Sequence, residues 1–309
     1  MAVLVHCAWV LVIAPAVLAV VSALVHDRFR PSTAAWALAW SAVVCAAAAV
    51  VTLLVAITRA VVAIPEVADW LGWPTGWPQG DKGLLAVAML LLAWVVISAV
   101  QVSNYRQEVA QVAQSLHALL ATLPWGGEEH VPLSDGATVV LALVVDPRVD
   151  VIFAARSHPK VATTTGLREL IDDTEFRALA AHEDHHVRGH HERVIALVSC
   201  AARVLPFLTR VVHQVLYLVE RAADEVGAAE VRNRPLVAAS IRKVIDAMAN
   251  IGQLLPRPTS ERDVSRRCAA LLANPRTARW PAVAPALVAA SSVAFTVYGV
   301  VDLIGLVPG

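Results

Sequence analysis

The sequence predicts an α-helical membrane bundle of about four spans into which a water-facing α+β domain is inserted. Three observations support this fold class. Hydrophobic residues make up 58% of the 309 residues and charged residues 16%, whereas soluble domains average roughly 45–50% and about 25%. The mean hydropathy is +0.63. Residues 103–279 hold 41 of the 50 Asp, Glu, Lys and Arg residues. Both ends of the chain are therefore expected to contact the lipid bilayer, and its middle to contact water.

Charge balance and cysteine content exclude several other classes. The 25 Lys and Arg residues balance the 25 Asp and Glu residues, so no direct nucleic-acid binding is expected. The four cysteines, Cys7, Cys45, Cys200 and Cys268, stand alone and form no C-x-x-C pair. We interpret them as unpaired side chains, which belong neither to a disulfide framework nor to a zinc knuckle.

Four apolar segments are long enough to cross the hydrocarbon core, which takes about 20 residues of helix. They cover residues 2–25, 33–58, 83–102 and 282–301. The first has no Lys or Arg ahead of its apolar stretch and is too long for the core of a signal peptide, which favours a retained span. The predicted domains are three transmembrane helices in 1–102, a water-facing domain in 103–279 and a C-terminal transmembrane helix in 280–309.

The short loops predict the orientation, because Lys and Arg collect on the cytoplasmic side. The 26–32 loop carries two arginines, and two more precede the last span, whereas the 59–82 loop carries three tryptophans typical of a membrane interface. The residues concerned are Arg28, Arg30, Arg276 and Arg279 on the predicted cytoplasmic side and Trp70, Trp73 and Trp77 on the external side. These features predict a multi-pass protein of the cell membrane with residues 103–279 in the cytoplasm.

The middle segment is predicted to combine short strands with helices. Residues 103–123 have the pattern of an amphipathic helix, residues 124–136 are rich in turn formers, and three β-like runs follow at 138–145, 149–154 and 160–165. A helical region begins near residue 167. Asp172 and Glu175 have the spacing of a capping box, which predicts the start of a helix that contains residues 181–190.

That helix contains His182, Glu183 and His186, which form an H-E-x-x-H motif. Two histidines four residues apart lie on one helix face, so both can bind one Zn²⁺, and the glutamate after the first can reach a water on that ion. Zinc lowers the pKa of such a water to near neutrality, and Glu183 would take its proton as it attacks a carbonyl. The alternative is a solvated, histidine-rich helix face without a catalytic role, because histidines also occupy positions 185, 190 and 191.

A catalytic zinc needs a third protein ligand, and two possibilities fit the sequence. Gly189 stands where the metzincin pattern has its glycine, but that pattern requires histidine where Glu192 stands, and His191 comes one residue early. Glu220 is favoured, because gluzincins take a glutamate from a later helix with an acidic residue four positions on. Asp224 fits that acidic residue and would hydrogen-bond a zinc histidine. The alternative for Glu220 and Asp224 is a solvated acidic pair.

Residues 194–219 are apolar enough to be taken for a further span. A single crossing would place Glu220 about 30 Å of hydrocarbon away from His182 and His186, so that the three could not share an ion. Two arginines and a histidine within the segment also disfavour a straight span. We therefore predict a membrane-associated helical hairpin that folds back at Pro206.

At these residues the chain resembles the BlaR/MecR-type membrane zinc metallopeptidases, metallopeptidase family fifty-six, and especially their short actinobacterial members without an extracellular sensor domain. The resemblance covers most of residues 137–279 and, more loosely, the layout of the spans. The H-E-x-x-H motif and the later E-x-x-x-D pair are shared with the CAAX-type and HtpX-type membrane proteases. The matching segments are 144–148, 161–167, 182–191, 219–224 and 266–272.

The resemblance implies a gluzincin-like zinc metalloprotease domain that faces the cytoplasm, binds one Zn²⁺ and acts as an endopeptidase. It implies that His182, His186 and Glu220 are the metal ligands, that Glu183 is the general base, and that Asp224 supports a ligand. It also matches four residues to the edge strand on which a substrate backbone pairs, namely Val161, Ala162, Thr163 and Thr164. The chain ends at residue 309 without a penicillin-binding sensor, which argues against β-lactam sensing.

The sequence therefore predicts an integral-membrane zinc-dependent endopeptidase that cleaves a protein or peptide, with a transcriptional repressor as the expected kind of regulatory substrate. The alternative is a non-catalytic membrane signalling module that binds a partner through a protease-like domain; the intact Glu183 favours the enzyme. Ion transport is not expected, because the spans lack a ladder of ionisable residues. Candidates for the oxyanion donor are the histidines at 190, 191 and 213 and the arginines at 188 and 221.

Overall fold

The computed structural model describes residues 7–25, 30–72, 82–153, 161–251, 260–273 and 283–303. Over these residues the chain is mostly helical and contains one four-stranded sheet. Some predicted features lie outside the described residues. They are residues 2–6 and 282 of two predicted spans, Ala154 and Lys160 of two predicted strands, and the loop residues Arg28, Trp73, Trp77, Arg276 and Arg279.

Long apolar helices lie on both sides of a segment that combines the strands with shorter helices. A π-helical turn, Trp9–Ile13, leads directly into the first helix. The helices are α1 (Ala14–Val25), α2 (Pro31–Val62), α3 (Pro65–Leu71), α4 (Lys82–Thr122), α5 (Thr165–Leu170), α6 (Asp173–Arg188), α7 (His191–Val204), α8 (Thr209–Val231), α9 (Arg234–Ile251), α10 (Glu261–Leu272) and α11 (Val283–Leu303). The strands are β1 (Trp125–Pro132), β2 (Thr138–Val144), β3 (Val151–Phe153) and β4 (Val161–Thr164).

Three described helices are long and apolar enough to cross a membrane, as judged by length and composition. These stretches are Pro31–Val62, Ala86–Thr122 and Val283–Val301, and they coincide with the second, third and fourth predicted spans. The first predicted span corresponds to a shorter apolar helical stretch, Trp9–Leu24. The structure thus supports three of the roughly four predicted spans.

Helix α4 runs through the predicted boundary between membrane and water-facing segments at residue 102. The span and the amphipathic helix predicted for 103–123 form one helix of 41 residues. No glycine or proline occurs between residues 84 and 123, so nothing in the local sequence interrupts the helix before Pro124. At 1.5 Å per residue the helix is about 62 Å long, which exceeds the hydrocarbon thickness of about 30 Å.

Helix α2 lies at the centre of the helical bundle and packs through small side chains. Its buried residues include Ala42, Ala46 and Ala49, which allow neighbouring helices to approach closely. Polar contacts also join it to α11. Cys45 Sγ lies 3.6 Å from the hydroxyl of Ser292, and the Thr296 hydroxyl lies 3.2 Å from that of Thr52 and 3.3 Å from the Ala48 carbonyl oxygen. Small residues with a few interhelical hydrogen bonds are the usual means of helix association where lipid surrounds the helices.

The segment predicted to fold back does so at the predicted residue. Helix α7 ends at Val204, a single 3₁₀ turn covers Pro206–Leu208, and α8 returns along α7. One hydrophobic cluster joins this hairpin to α1 and α2. Its members on the hairpin include Val194, Val198, Leu205, Leu208, Val211, Val215 and Leu218. The apolar faces that resemble a span in the sequence therefore pack on other helices of the bundle.

The sheet has the strand order β1-β2-β4-β3. Strands β1 and β2 are antiparallel, β2 and β4 are parallel, and β4 and β3 are antiparallel. The predicted strands at 138–145, 149–154 and 160–165 correspond to β2, β3 and β4. Strand β1, however, lies in the 124–136 stretch that the sequence indicated to be turns. Its glycines and terminal proline have low β propensity, and it is ordered by pairing with the Val- and Leu-rich β2.

The prediction that Val161, Ala162, Thr163 and Thr164 form an edge strand is wrong. These residues form β4, which is paired on one side with β2 and on the other with β3. The short β3 folds back against β4, with Val151 opposite Thr163, and occupies the side that was expected to be open. All four β4 residues are buried. Among the described strands, β1 and β3 are the edges.

Helix α6 begins at the capping box predicted for Asp172 and Glu175, which the structure confirms. One carboxylate oxygen of Asp172 accepts hydrogen bonds of 2.8 Å from the backbone N–H groups of Thr174 and Glu175. The Glu175 carboxylate in turn accepts a 3.0 Å hydrogen bond from the Asp172 backbone N–H. Phe176 and Ala180 pack against the sheet. The cap and this packing fix the position of α6, which carries the H-E-x-x-H motif.

Candidate metal centre

Helices α6 and α8 approach each other closely, and this contact brings the two halves of the predicted site together. His182 and His186 lie one turn apart on α6, and Glu220 and Asp224 lie one turn apart on α8. Gly227 of α8 faces the backbone of α6: a Cβ atom at this position would lie 2.7 Å from the carbonyl oxygen of Ala178. A glycine at this position therefore allows the helices to pack at backbone contact distance.

His182, His186 and Glu220 form the one group of three possible metal ligands among the described residues, with ligand atoms all within 4.8 Å of one another. The Nε2 atoms of the two histidines are 3.1 Å apart. The Glu220 carboxylate oxygens lie 3.8 Å from Nε2 of His182 and 3.6 Å from Nε2 of His186. Ligands bound tetrahedrally at about 2.1 Å are about 3.4 Å apart, so two imidazoles and a carboxylate at these separations fit Zn²⁺.

Asp224 contacts the far side of His182. Its Oδ1 atom lies 3.2 Å from Nδ1 of His182, and its side chain is 1% exposed. When Nδ1–H donates to this carboxylate, Nε2 keeps its lone pair and faces His186 and Glu220. Burial alone would lower the pKa of His182, but the hydrogen bond and charge of Asp224, with the charges of Glu183 and Glu220, raise it.

Arg267 of α10 completes the buried charge network. Its guanidinium donates two 2.7 Å hydrogen bonds to the Asp224 carboxylate, and Nη1 lies 2.9 Å from Oε2 of Glu220. Burial alone would raise the pKa of Asp224, but Arg267 and His182 lower it to about 2. The pKa of Arg267 is raised, because the charges of Asp224 and Glu220 outweigh the effect of burial. Asp224 and Arg267 are therefore both charged at neutral pH.

Sequence reasoning missed this role of Arg267, although the sequence contains a signal for it. Val264, Cys268 and Leu271 form the buried stripe of α10, and Arg267 lies on the same face, three residues after Val264 and four before Leu271. An arginine on the buried face of an amphipathic helix requires a buried acidic partner. That partner, Asp224, lies 43 positions away in the sequence.

His191 packs against the far side of His186, as Asp224 does against His182. The Nδ1 atoms of His191 and His186 are 3.0 Å apart, and His191 is 3% exposed. Burial, followed by the charges of neighbouring histidines, lowers the pKa of His186 to about 2 and that of His191 to about 4. Both imidazoles are therefore neutral at pH 7, and neutrality is the state that metal binding requires of His186.

The alternative third ligands lie apart from the cluster. His191 contacts the Nδ1 atom of His186, whereas the Nε2 atom of His186, on the opposite edge of that ring, faces His182. Glu192 is exposed, with its carboxylate 3.9 Å from Nδ1 of His190. Of the candidate oxyanion donors, Arg188 pairs with Asp184 at 2.6 Å and with Asp135 at 3.0 Å. The geometry thus favours Glu220 over the metzincin-like alternative.

The remaining predicted residues divide into two groups. Glu183 is half-buried on α6 directly after His182, and its charge contributes to the raised pKa of that histidine. It therefore lies beside the ligand cluster. The residues 161–164 lie in the interior strand β4, where Thr164 caps α5 by accepting a 3.2 Å hydrogen bond from the backbone N–H of Leu167. The structure does not bring them to an edge on which a substrate strand could pair.

Comparisons with known proteins point to a protease over a limited stretch. Two curated proteins of Tropheryma whipplei, from strains Twist and TW08/27, each described as "Protease HtpX homolog", share 34% identity with the chain over 77 residues. The aligned stretch covers 24% of this chain and 26% of each relative, so the match spans about a quarter of the curated proteins. No protein-family model matches the chain, and no solved structure matches it significantly.

Proposed function

We propose that the protein is an integral-membrane, zinc-dependent endopeptidase. The observation that carries the proposal is the convergence of His182, His186 and Glu220, from two helices, directly beside Glu183. The similarity to proteins described as protease HtpX homologs supports a membrane protease of this general kind. The narrower assignment to the BlaR/MecR type rests on the sequence motifs of residues 137–279 alone.

In this proposal His182, His186 and Glu220 hold one Zn²⁺. When bound, zinc acts as a Lewis acid that activates a water molecule and polarises the substrate carbonyl. The Glu183 carboxylate takes a proton from the attacking water and delivers it to the departing amine nitrogen. The exposed fraction of the Glu220 side chain is 41%, against 14% for His182 and 18% for His186, so Glu220 is the most solvent-exposed of the three ligands.

Asp224 and Arg267 keep the ligands in one arrangement. Asp224 holds the proton of His182 on Nδ1, which leaves Nε2 as the metal-binding atom. Arg267 binds both Asp224 and Glu220, the two acidic residues that lie one turn apart on α8. The positive charge of Arg267 also offsets the buried Asp224 carboxylate and the partly exposed Glu220 carboxylate, which would otherwise repel each other before a metal binds.

The proposed location is the cell membrane, with the site on the cytoplasmic side close to the bilayer. Three apolar helices support contact with lipid, and the α7–α8 hairpin packs on two of the apolar helices, α1 and α2. The proposed substrate is a protein or peptide, with a transcriptional repressor as one regulatory target. The alternative is a non-catalytic module that binds a partner through a protease-like domain. An intact Glu183 favours the enzyme, because a binding module needs no general base.

The replacement Glu183→Gln tests the catalytic role while keeping the shape of the side chain. We expect one zinc per chain in both proteins, because the ligands are unchanged, and a cleavage rate that falls about 10²–10⁴-fold in the variant. The inactive variant is used to trap substrates in membranes, and mass spectrometry identifies them. Cleavage of the trapped protein by the wild type and by the variant is then compared.

Glu192→Gln is the matched control, because Glu192 is an exposed glutamate just beyond the same histidine cluster. It should cleave at the wild-type rate. Cleavage by Glu183→Gln at the wild-type rate would show that this site is not the protease centre. If neither the wild type nor the variant cleaves any trapped protein, the non-catalytic module becomes the better interpretation.

A further inference from the structure

We propose that His191 is a positioning residue for the metal ligand His186: its Nδ1 atom accepts the Nδ1–H hydrogen bond of His186 and fixes Nε2 of that ligand toward the metal. This inference rests on the proposed function, because it assumes that His186 binds zinc. It assigns to His191 a role different from that of a ligand and different from that of an oxyanion donor.

The two proposed zinc histidines are supported in different ways. A metal-binding histidine usually donates its second ring N–H to a hydrogen-bond acceptor, which sets both the tautomer and the ring plane. For His182 the acceptor is the Asp224 carboxylate, 3.2 Å away. For His186 the group at the corresponding position is the imidazole of His191, with Nδ1 3.0 Å from Nδ1. The two rings meet edge to face, with centroids 4.8 Å apart.

The contact also determines which nitrogen of each ring carries a proton. His186 must keep Nε2 unprotonated to bind a metal, so its proton is on Nδ1 and that N–H donates. His191 must then accept through an unprotonated Nδ1 and carry its own proton on Nε2. His191 is 3% exposed, and its ring packs against the rings of His185 and His186, so this contact is shielded from solvent.

The turn between α6 and α7 is shaped to hold His191 in this place. His190 adopts a left-handed conformation, with φ of 49°, which is uncommon outside glycine and reverses the chain directly after α6. Gly189 leaves the space that the ring occupies: a Cβ atom there would lie 2.6 Å from Nε2 of His191. The space at Gly189 and the left-handed backbone of His190 thus bring the His191 ring back against the last turn of α6.

His191 lies too far round the His186 ring to be a metal ligand itself. The ligand atoms of His182, His186 and Glu220 lie on the Nε2 side of the His186 ring, whereas His191 touches the Nδ1 side. His191 is therefore one residue removed from the metal. Loss of such a contact lowers metal affinity by about 10–100-fold, whereas loss of a ligand abolishes tight binding.

The test uses the full-length protein in detergent micelles and measures its zinc dissociation constant at pH 7.5 by competition with a chromophoric chelator. His191→Phe keeps the ring but removes both nitrogens. His191→Asn places an acceptor oxygen where Nδ1 lies, and His191→Gln places its polar atoms near Nε2 instead. His190→Asn is the matched control, because His190 is the adjacent, exposed histidine of the same cluster and asparagine tolerates its left-handed backbone.

We expect the dissociation constant to rise about 10–100-fold in His191→Phe and His191→Gln. In His191→Asn and in His190→Asn the dissociation constant should stay within about threefold of the wild type. The asparagine side chain in His191→Asn still offers an acceptor to His186, and His190→Asn leaves the contact between His186 and His191 unchanged. Rescue by Asn but not by Gln identifies the Nδ1 contact, since a purely structural role would not separate two amides. This pair of variants carries the test even where the Phe variant fails to fold.

Four results would overturn the inference, and they are distinguishable. Wild-type affinity in all His191 variants would show that the contact has no positioning role, with the proposed function left standing. Equal losses in Asn and Gln would exclude the Nδ1-specific contact. Zinc loss as complete as in His186→Ala would make His191 a direct ligand. A wild-type protein that binds no zinc would remove the proposed function together with this inference.

Discussion

Arg267 is the residue on which the charge balance of the site depends. Its guanidinium binds the Asp224 carboxylate through two nitrogens and also reaches Glu220. Asp224 itself is 1% exposed and additionally contacts only His182 among the ion pairs of the described residues. Removal of the arginine would therefore leave a buried carboxylate without its main counter-charge. Such a change costs more than the intact pair contributes, because the remaining charge stays desolvated.

We predict that Arg267→Met lowers the free energy of unfolding by about 3–5 kcal/mol. Denaturant unfolding of the metal-free protein measures it. Arg266→Met is the control, because the neighbouring Arg266 stacks 4.0 Å above the Tyr217 ring and lies nearer the surface. It should cost about 1 kcal/mol. Equal costs for the two variants would refute the assigned role of Arg267.

At the residue scale, the sequence predicted the site residues that lie within one helical turn of each other. His182, Glu183 and His186 are fixed by one turn of helix, and Glu220 with Asp224 repeats that spacing on a second helix. That the two turns meet, and that Arg267 joins them, depends on the packing of three helices. The roles of His191 and Arg267 follow from this packing, which residue spacing alone does not determine.

At the scale of elements, the contact between α6 and α8 sets the distance between the two histidines and Glu220. Gly227 faces the Ala178 carbonyl oxygen, where an added Cβ atom would lie at 2.7 Å. Ordinarily, Gly→Ala within a helix stabilises it by about 1 kcal/mol, because glycine is the more flexible residue. At Gly227 the sign reverses, since the methyl group meets backbone of the neighbouring helix, which cannot rotate away.

We predict that Gly227→Ala destabilises the protein by about 1–3 kcal/mol, the usual cost of overpacking. It should also weaken zinc binding, because separation of α6 from α8 moves Glu220 away from His182 and His186. Thermal unfolding and chelator competition measure the two effects. Gly299→Ala in α11 is the matched control, since nothing lies within 4 Å of its added Cβ. A Gly227→Ala protein as stable as the Gly299→Ala protein would contradict the close approach.

The strands show where sequence patterns fail. The Val- and Thr-rich segment 161–164 has strong strand propensity, which correctly predicts a strand but does not predict its neighbours. Its place in the interior follows from the three-residue β3, whose pairing covers the side assumed to be open. Strand β1 was missed because two glycines and a proline obscure an extended segment that depends on β2 for its order. Sheet order is a non-local property, and no single segment encodes it.

At the scale of the whole molecule, the uneven charge distribution predicted separate membrane and water-facing parts. In the structure, one hydrophobic cluster joins α1 and α2 to the α7–α8 hairpin, which the sequence predicted to be associated with the membrane. The sequence alone does not show whether an apolar helix face contacts lipid or another helix, because its composition is the same in both cases. The sequence did predict the turn at Pro206, since two halves of one metal site cannot lie on opposite sides of a bilayer.

Helix α2 relates the candidate site to the membrane. At its start, the Ser32 hydroxyl lies 3.4 Å from Nε2 of His185, within the histidine cluster. At its end, α3 begins three residues after Val62. The 32 residues of α2 extend about 48 Å, which is longer than the hydrocarbon thickness of about 30 Å. If α2 crosses the bilayer, α3 and the candidate site must therefore face opposite sides.

We predict this sidedness from single cysteines placed at exposed positions in a background without the native cysteines. Asp69→Cys in α3 should react with a membrane-impermeant maleimide in intact cells, because residues 59–82 are predicted to be external. Glu128→Cys in β1 and Ala229→Cys in α8 should react only after permeabilisation. These two positions must behave alike, because the backbone N–H and hydroxyl of Ser134, which follows β1, both donate to the carboxylate of Glu230.

Labelling of Glu128→Cys and Ala229→Cys from opposite sides would mean that residues 194–219 cross the membrane, and Glu220 could then not share a metal with His182. Labelling of both from outside would reverse the proposed orientation and exclude a cytoplasmic repressor as substrate, while the geometry of the metal centre would be unaffected.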